Sequence, residues 1–410
     1  MSTIAIIGAG PAGLTLARLL SLQQNFKVTV FEQDASASSR TTKGGSLDLH
    51  GDTGMAALRE AGLVEEFLQH ARYEGEDLVI ADKHGNRHLD MKADVEEVKD
   101  LSEARPEIDR EVLKAILLES IPPPLIKWGH HLTSVGQDGT LSFAHGAEGP
   151  FDLIVGADGA WSRVAQVLTD VRPSFSGIGG FELRIFDPAE MHPKVSDMVG
   201  RGSYFAFSDG QGVQAQRQGD GSIIVYIWER MSELFAKNLL ASCDGDGGEL
   251  KGKLKERFSS WDPSFLDWID AADSKAIRAW PLYELPVGHQ WRHKKGFTLI
   301  GDSGHIMTPF AGEGVNAAMK DALDLAGKIG EALKLGSSLD SAVEEYEVAA
   351  FTRNQAVQED TMQNKILFFR EDAPAGFLER MQQLMGQVPE EERERWEKMI
   401  AGVDTSHQAE

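Results

Sequence analysis

With 410 residues the chain can bury one large core or two modest ones, and length alone favours two or three domains. A formal net charge of −23 argues against nucleic acid and against an anionic membrane surface as partners, because both are captured by clustered Lys and Arg and repelled by carboxylates. Cys243 is the only cysteine, so an intramolecular disulfide and a cysteine-based zinc or iron–sulfur centre are excluded.

The lone cysteine fits a reducing compartment. The opening run Thr3-Ile4-Ala5-Ile6-Ile7 is too short for a signal h-region, lacks a basic flank and ends in a glycine loop. No apolar stretch reaches the roughly 20 residues that a membrane span requires. The polar ending Ser406-His407-Gln408-Ala409-Glu410 carries no prenylation signal. A cytoplasmic protein, monomeric or weakly dimeric, acting on a small molecule is therefore expected, with no membrane anchor.

In chain order, residues 3–7 read as a buried parallel strand, 11–23 as a helix with apolar Leu14, Ala17, Leu19 and Leu20, and 27–31 as a second strand. This is a βαβ unit. Residues 54–70 read as one amphipathic helix through Met55, Leu58, Leu63 and Phe67, followed by a strand at 77–81 and a His84-Gly85-Asn86 turn. Another helix starts near Asp109, an N-cap candidate, and runs through Leu113, Ile116 and Leu117 until Pro122 stops it. Short strands over 126–144 form a meander ahead of 151–155, which again reads as a buried strand entering a glycine turn. From 174 to 280 alternating strands (181–186, 222–228) are followed by helices, with a soft Asp244-Gly245-Asp246-Gly247-Gly248 loop among them. Beyond Gly314 the pattern is nearly all helical, and 390–398 reads as a solvated helix face.

Three glycine turns carry the chemistry. Gly8-Ala9-Gly10-Pro11-Ala12-Gly13 fits G-x-G-x-x-G between strand and helix, and Glu32 ends the next strand. The glycines let backbone approach a pyrophosphate, the helix dipole favours its charge, and the carboxylate accepts from ribose hydroxyls. This motif alone does not choose NAD over FAD. Asp158, in Gly156-Ala157-Asp158-Gly159, follows another strand, although Asp-Gly is a common turn in its own right. The third turn, Gly301-Asp302 with Pro309, Gly312, Gly314, Val315 and Asn316, is more specific. Asp302 can accept from a ribose or ribitol hydroxyl, and the amides of 312–315 suit the pyrimidine edge of a flavin, where negative charge accumulates on reduction. Together the turns point to FAD.

In order and spacing these motifs resemble the class A FAD-dependent monooxygenases of the aromatic hydroxylase type. Gly44-Gly45-Ser46-Leu47-Asp48-Leu49-His50 and Glu107-Ile108-Asp109-Arg110 resemble most the tetracycline-inactivating members. The resemblance implies that Asp48 and Arg110 join Glu32 and Asp302 as FAD contacts, and that Arg40 meets the nicotinamide cofactor. It further implies that NADPH or NADH reduces FAD, and that O2 forms a flavin C4a-hydroperoxide which delivers one oxygen atom to an electron-rich, polycyclic aromatic, alkaloid or indole-like substrate. No dedicated protein nucleophile is needed. For the substrate it implies polar side chains on two sheet strands; Arg184 falls at one such place and apolar Ile224 at another, with Tyr226 nearby. Asn364 and Phe368, four apart on a late helix, are either pocket lining or ordinary packing. His305 is expected to be structural.

The expected architecture is α/β: a Rossmann-like FAD-binding domain (1–72, 105–172, 281–335), an inserted, mainly antiparallel substrate domain (73–104, 173–280), and C-terminal helices (336–410) forming a bridge. An NAD-dependent dehydrogenase, or a flavin oxidase or reductase without oxygen insertion, is the alternative, as is a flavin-fold binding protein without turnover. The first leaves the 309–316 loop unexplained.

Overall fold

Ile4 to Ile7 are all buried, as befits a strand with helices or strands covering both faces of its sheet. Their strand, Ser2–Ile7, lies at the centre of a five-stranded parallel sheet in the order Phe297–Leu299, Leu153–Gly156, Ser2–Ile7, Phe26–Phe31, Ile126–Lys127. Ile4 and Ile6 pack with Val28, Val30, Leu153 and Val155 against helices Pro11–Gln23 and Gly314–Leu335, through Leu14, Leu16, Met319 and Leu325. Ala5 and Ile7 face the other way, towards Phe31, Phe143, Ile154, Trp291 and Leu299. The alternation follows from the twofold period of a strand.

The computed structural model describes residues 1–39, 44–92 and 105–386. They form two units: 1–39, 44–71, 105–174 and 283–362 make the first, and 72–92, 175–282 and 363–386 the second. The second is built on a seven-stranded, mainly antiparallel sheet, with Leu78–Ala81 parallel to its neighbour Ser203–Ser208. One face of that sheet carries Phe181, Leu183, Ile185, Val213, Val225 and Ile227. These residues form a core with Leu250, Leu254, Phe265, Trp268 and Ile269 of the helices Gly247–Arg257 and Pro263–Ala271, and Cys243 is buried in the same core.

The fold class is as expected: a Rossmann-like parallel sheet, a separate mainly antiparallel sheet and a helical C-terminal part. Local departures have physical causes. The helix expected over 54–70 breaks into Gly54–Ala61 and Val64–Leu68, because Gly62 adopts a left-handed conformation (φ 69°) and its N–H caps the carbonyls of Leu58 and Arg59. Residues 126–127 do not belong to the meander; they close the edge of the parallel sheet, and only Leu132–Val135, Leu141–Phe143 and Gly146–Glu148 form the antiparallel trio. The helix Leu339–Phe368 starts in the first unit and its last residues belong to the second, so the C-terminal helices are divided between the units. The 390–398 segment lies outside the described residues. No helix among the described residues is long and apolar enough to cross a membrane.

Candidate active site

Gly8 and Gly13 are required by the protein itself. A Cβ on Gly8 (φ +106°) would stand 2.3 Å from the Ala157 carbonyl oxygen, and one on Gly13 would stand 2.1 Å from that of Gly8. These contacts bring the Gly8 turn against the Ala157 turn. Gly10 differs: no atom lies within 4 Å of the place its Cβ would take, although it sits at the N-terminus of the helix Pro11–Gln23. Gly314, first residue of the helix Gly314–Leu335, borders open space in the same way. Two bare helix N-termini in one unit suit an anionic, flat dinucleotide, which is the fit a flavin nucleotide requires.

Glu32 is buried and already bonded: Oε2 accepts from Ala9 N (2.6 Å) and Oε1 from Asp34 N (2.9 Å). Its carboxylate therefore fixes the glycine turn. Asp158 likewise ties two turns together, accepting from Arg163 N (2.7 Å) and from the Ser303 hydroxyl (3.3 Å), which in turn accepts from Gly159 N (3.0 Å). Burial pushes the Asp158 carboxyl up, ahead of the opposing hydrogen bonds. Asp302 is exposed beside Ser303, at the start of the short helix Asp302–His305.

Behind Asp302 lies a wholly buried carboxylate, Asp321. It accepts from Gly301 N (2.8 Å), His305 Nε2 (2.5 Å), the Arg353 guanidinium (2.6 Å) and Asn354 Nδ2 (3.2 Å). Burial alone would raise Asp321, but His305, Arg353 and the Gly301 amide outweigh it and hold it at about 2. His305 is thus a buried partner of Asp321, set back from the open space at the helix N-termini.

The 309–316 loop is a 3-10 turn, Pro309–Ala311, capped by Gly312 at φ +71°. The Gly312 N–H closes that turn on Pro309 O (3.1 Å), so the free amides at this edge are those of the first helical residues, 314–316, which have no intrahelical acceptor. Val315 and Asn316 are buried. Asp48, ending the strand Ser46–Asp48, comes to this loop: its Oδ1 would be 3.3 Å from a Cβ on Gly312, and Asn316 Nδ2 donates to its carbonyl (2.9 Å). Asn316 Oδ1 accepts from His50 N (2.9 Å). His50, quoted in the motif but given no role, is bonded to Asp48 Oδ2 (2.8 Å) through Nε2 and paired with Glu313 Oε1 (3.1 Å) through Nδ1. Its place two residues beyond Asp48 in the same motif was the available signal. Arg110 is exposed; its side-chain stem lies against Gly44, where a Cβ would be 2.8 Å from Cδ, and its N–H donates to Gly45 O (3.2 Å). Arg40 lies outside the described residues.

In the second unit the sheet face opposite the helices is polar and aromatic. Register places Glu182 opposite Tyr226 and Arg184 opposite Ile224, so all four share that face. Arg184 is not a free cation: it is buried, donates to the Ser222 hydroxyl (2.8 Å) and pairs with Asp220 (2.9 Å). Tyr226 belongs to a ring cluster that residue patterns alone did not single out. It stacks on Trp228 (5.4 Å between centroids) and meets Trp280 edge-on (5.7 Å), while Trp228 Nε1 donates to Gln214 (2.8 Å). Buried Glu182 pairs with Arg278 (2.7 Å); burial pushes its carboxyl up, ahead of the opposing effect of the guanidinium. Phe368 is buried and stacked on Phe207 at 4.2 Å, with Phe377 at 4.4 Å, and Asn364 accepts from Arg380 (3.1 Å).

The family model described as "FAD binding domain" matches residues 1–361. Among curated relatives, Monooxygenase asqM of Emericella nidulans is 32% identical, over 90% of this chain and 96% of its own length. Klebsiella pneumoniae HpxO complexed with FAD and uric acid has a similar fold, with a TM-score of 0.76 at 18% identity over 98% of this chain and 95% of its own. So has the tetracycline destructase Tet(55), with a TM-score of 0.69 at 20% identity over 94% and 95%. The glycine turns, the two open helix N-termini and these likenesses agree: the chain belongs to the FAD binding domain family and is an FAD-dependent monooxygenase.

Proposed function

We propose that the chain uses NADPH or NADH and O2 to insert one oxygen atom into an electron-rich small molecule, polycyclic aromatic or indole-like. The observation that carries the substrate class is the Tyr226–Trp228–Trp280 cluster on the polar face of the second unit's sheet, beside the buried Glu182–Arg278 pair. Offset and edge-on rings hold a flat conjugated molecule well, and a carboxylate beside them offers an acceptor for a phenol or indole hydrogen. The solved HpxO complex with uric acid, a flat bicyclic heteroaromatic, supports the same class.

Bound FAD, once reduced, supplies the activation of O2 and the transfer of one of its atoms. The protein's part is binding and orientation. The helix N-termini at Gly10 and Gly314 receive the pyrophosphate and the flavin's pyrimidine edge, and Asp302, Asp48 and Arg110 contact the cofactor. Glu32 and Asp158 hold the turns that do so. Arg40 meets the nicotinamide cofactor. The carboxylate excess and single cysteine support a cytoplasmic monomer or weak dimer.

The test is anaerobic reduction of the flavoprotein by NADPH and by NADH with a panel of indoles and polycyclic phenols, then mixing with 18O2. Substrate-stimulated reduction followed by a product carrying a single 18O atom is expected. Hydrogen peroxide as the only oxygen product, across the panel, would establish an oxidase instead.

A further inference from the structure

His50 is joined to two carboxylates from two separate segments of the chain. Asp48 belongs to the strand Ser46–Asp48 and Glu313 immediately precedes the helix Gly314–Leu335, so Nε2 meets one element and Nδ1 the other at 2.8 and 3.1 Å. Both ring nitrogens face acceptors, which only the imidazolium can satisfy with two N–H donors. The backbone repeats the link: His50 N donates to Asn316 Oδ1, and Asn316 Nδ2 donates to Asp48 O. Thr53 also donates to Asn316 Oδ1, at 3.2 Å, and is neutral. Among the described residues, Asp48 and Glu313 are thus the charged groups facing the ring.

We propose that His50 is a positioning residue for the flavin: as an imidazolium it clamps Asp48 to Glu313, setting the free amides of 314–316 and keeping two carboxylates beside them from repelling an anionic cofactor. The inference rests on assigning this loop to the flavin edge. Burial alone would push His50 down; the two carboxylates outweigh it and raise it to about 9. A group raised in this way contributes its share below its ordinary pKa of 6.5 and loses it as pH climbs through 9. Above that pH the site gains one net negative charge and the clamp opens, so FAD binding weakens.

Flavin fluorescence quenching on the full-length apoprotein, titrated with FAD from pH 6.5 to 9.5, tests this in wild type, His50→Gln and Glu313→Gln. Wild-type dissociation constants should rise up to about fourfold by the alkaline end. His50→Gln should show no step and bind weakly throughout. Glu313→Gln should move the step to lower pH, since one of the carboxylates that raises the histidine is gone; this variant decides the matter should His50→Gln fail to fold. An identical alkaline step in wild type and His50→Gln, or an unmoved step in Glu313→Gln, would overturn the clamp. Failure of wild type to take up FAD at any pH would instead overturn the cofactor assignment. Amide exchange at 314–316 in the apoprotein then judges the clamp: faster exchange in His50→Gln than in wild type at neutral pH supports it, and equal rates refute it.

Discussion

Gly10 and Gly13 stand three residues apart and answer to different masters. At Gly13 a methyl group would run into the Gly8 carbonyl at 2.1 Å, whereas at Gly10 it would meet no protein atom within 4 Å. Gly13→Ala should therefore destabilise the apoprotein by about 1–3 kcal/mol or more through overpacking. Gly10→Ala should leave the apoprotein's melting temperature unchanged and weaken FAD binding. Thermal unfolding with and without FAD separates the two, and equal loss of apo stability in both variants would show that Gly10 is also structural. The motif was legible in the sequence; its division of labour was not, because G-x-G-x-x-G does not say which glycine packs against protein and which borders open space. Glu32 was legible in the same partial way. Its place at the strand end follows from spacing, yet both its oxygens receive backbone N–H groups of this chain.

At the scale of elements, the Gly301 turn is held from behind by two helices. Asp321 from Gly314–Leu335 gathers donors from Gly301, His305 and the Arg353–Asn354 pair on Leu339–Phe368. Asp321→Ala would leave the His305 and Arg353 charges buried without this partner and should cost about 3–5 kcal/mol. Asp321→Asn keeps the shape and should cost less. Urea unfolding of the three proteins checks the order, and a negligible effect of the alanine variant would mean that the network relaxes around the gap. None of this was readable from sequence, where Asp321 is one acid among many on a helix. The helix itself was expected from the nearly all-helical pattern beyond Gly314. The sheet of the second unit shows the converse: strands at 181–186 and 222–228 were read from alternation, but the pairing of Glu182 with Tyr226 depends on a register that hydrophobicity does not fix when both faces are partly buried.

Across the whole molecule, the segments proposed to contact the cofactor lie far apart in the chain yet are confined to one unit. FAD should accordingly slow amide exchange at 8–13, 46–50 and 312–316 together, while the strand Ile223–Arg230 in the second unit responds to aromatic substrate. At a free FAD concentration of about 100 times its dissociation constant, linkage adds about 2.7 kcal/mol of stability. Protection confined to a single one of the three segments would refute a shared site. The fold class was legible because a βαβ unit, a later buried strand and a second block of alternating strands leave few architectures. The division of the C-terminal helices was not, since one uninterrupted helix of 30 residues gives no sign of where its allegiance changes.

Cys243 is the chain's single thiol and lies 1% exposed in the core beneath the seven-stranded sheet. Thiol-directed probes should pass the folded protein by. Cysteines introduced on the surface then become the only reactive handles, so spin labels or fluorophores can be placed one on each unit without first removing a native residue, and their separation followed through a catalytic cycle.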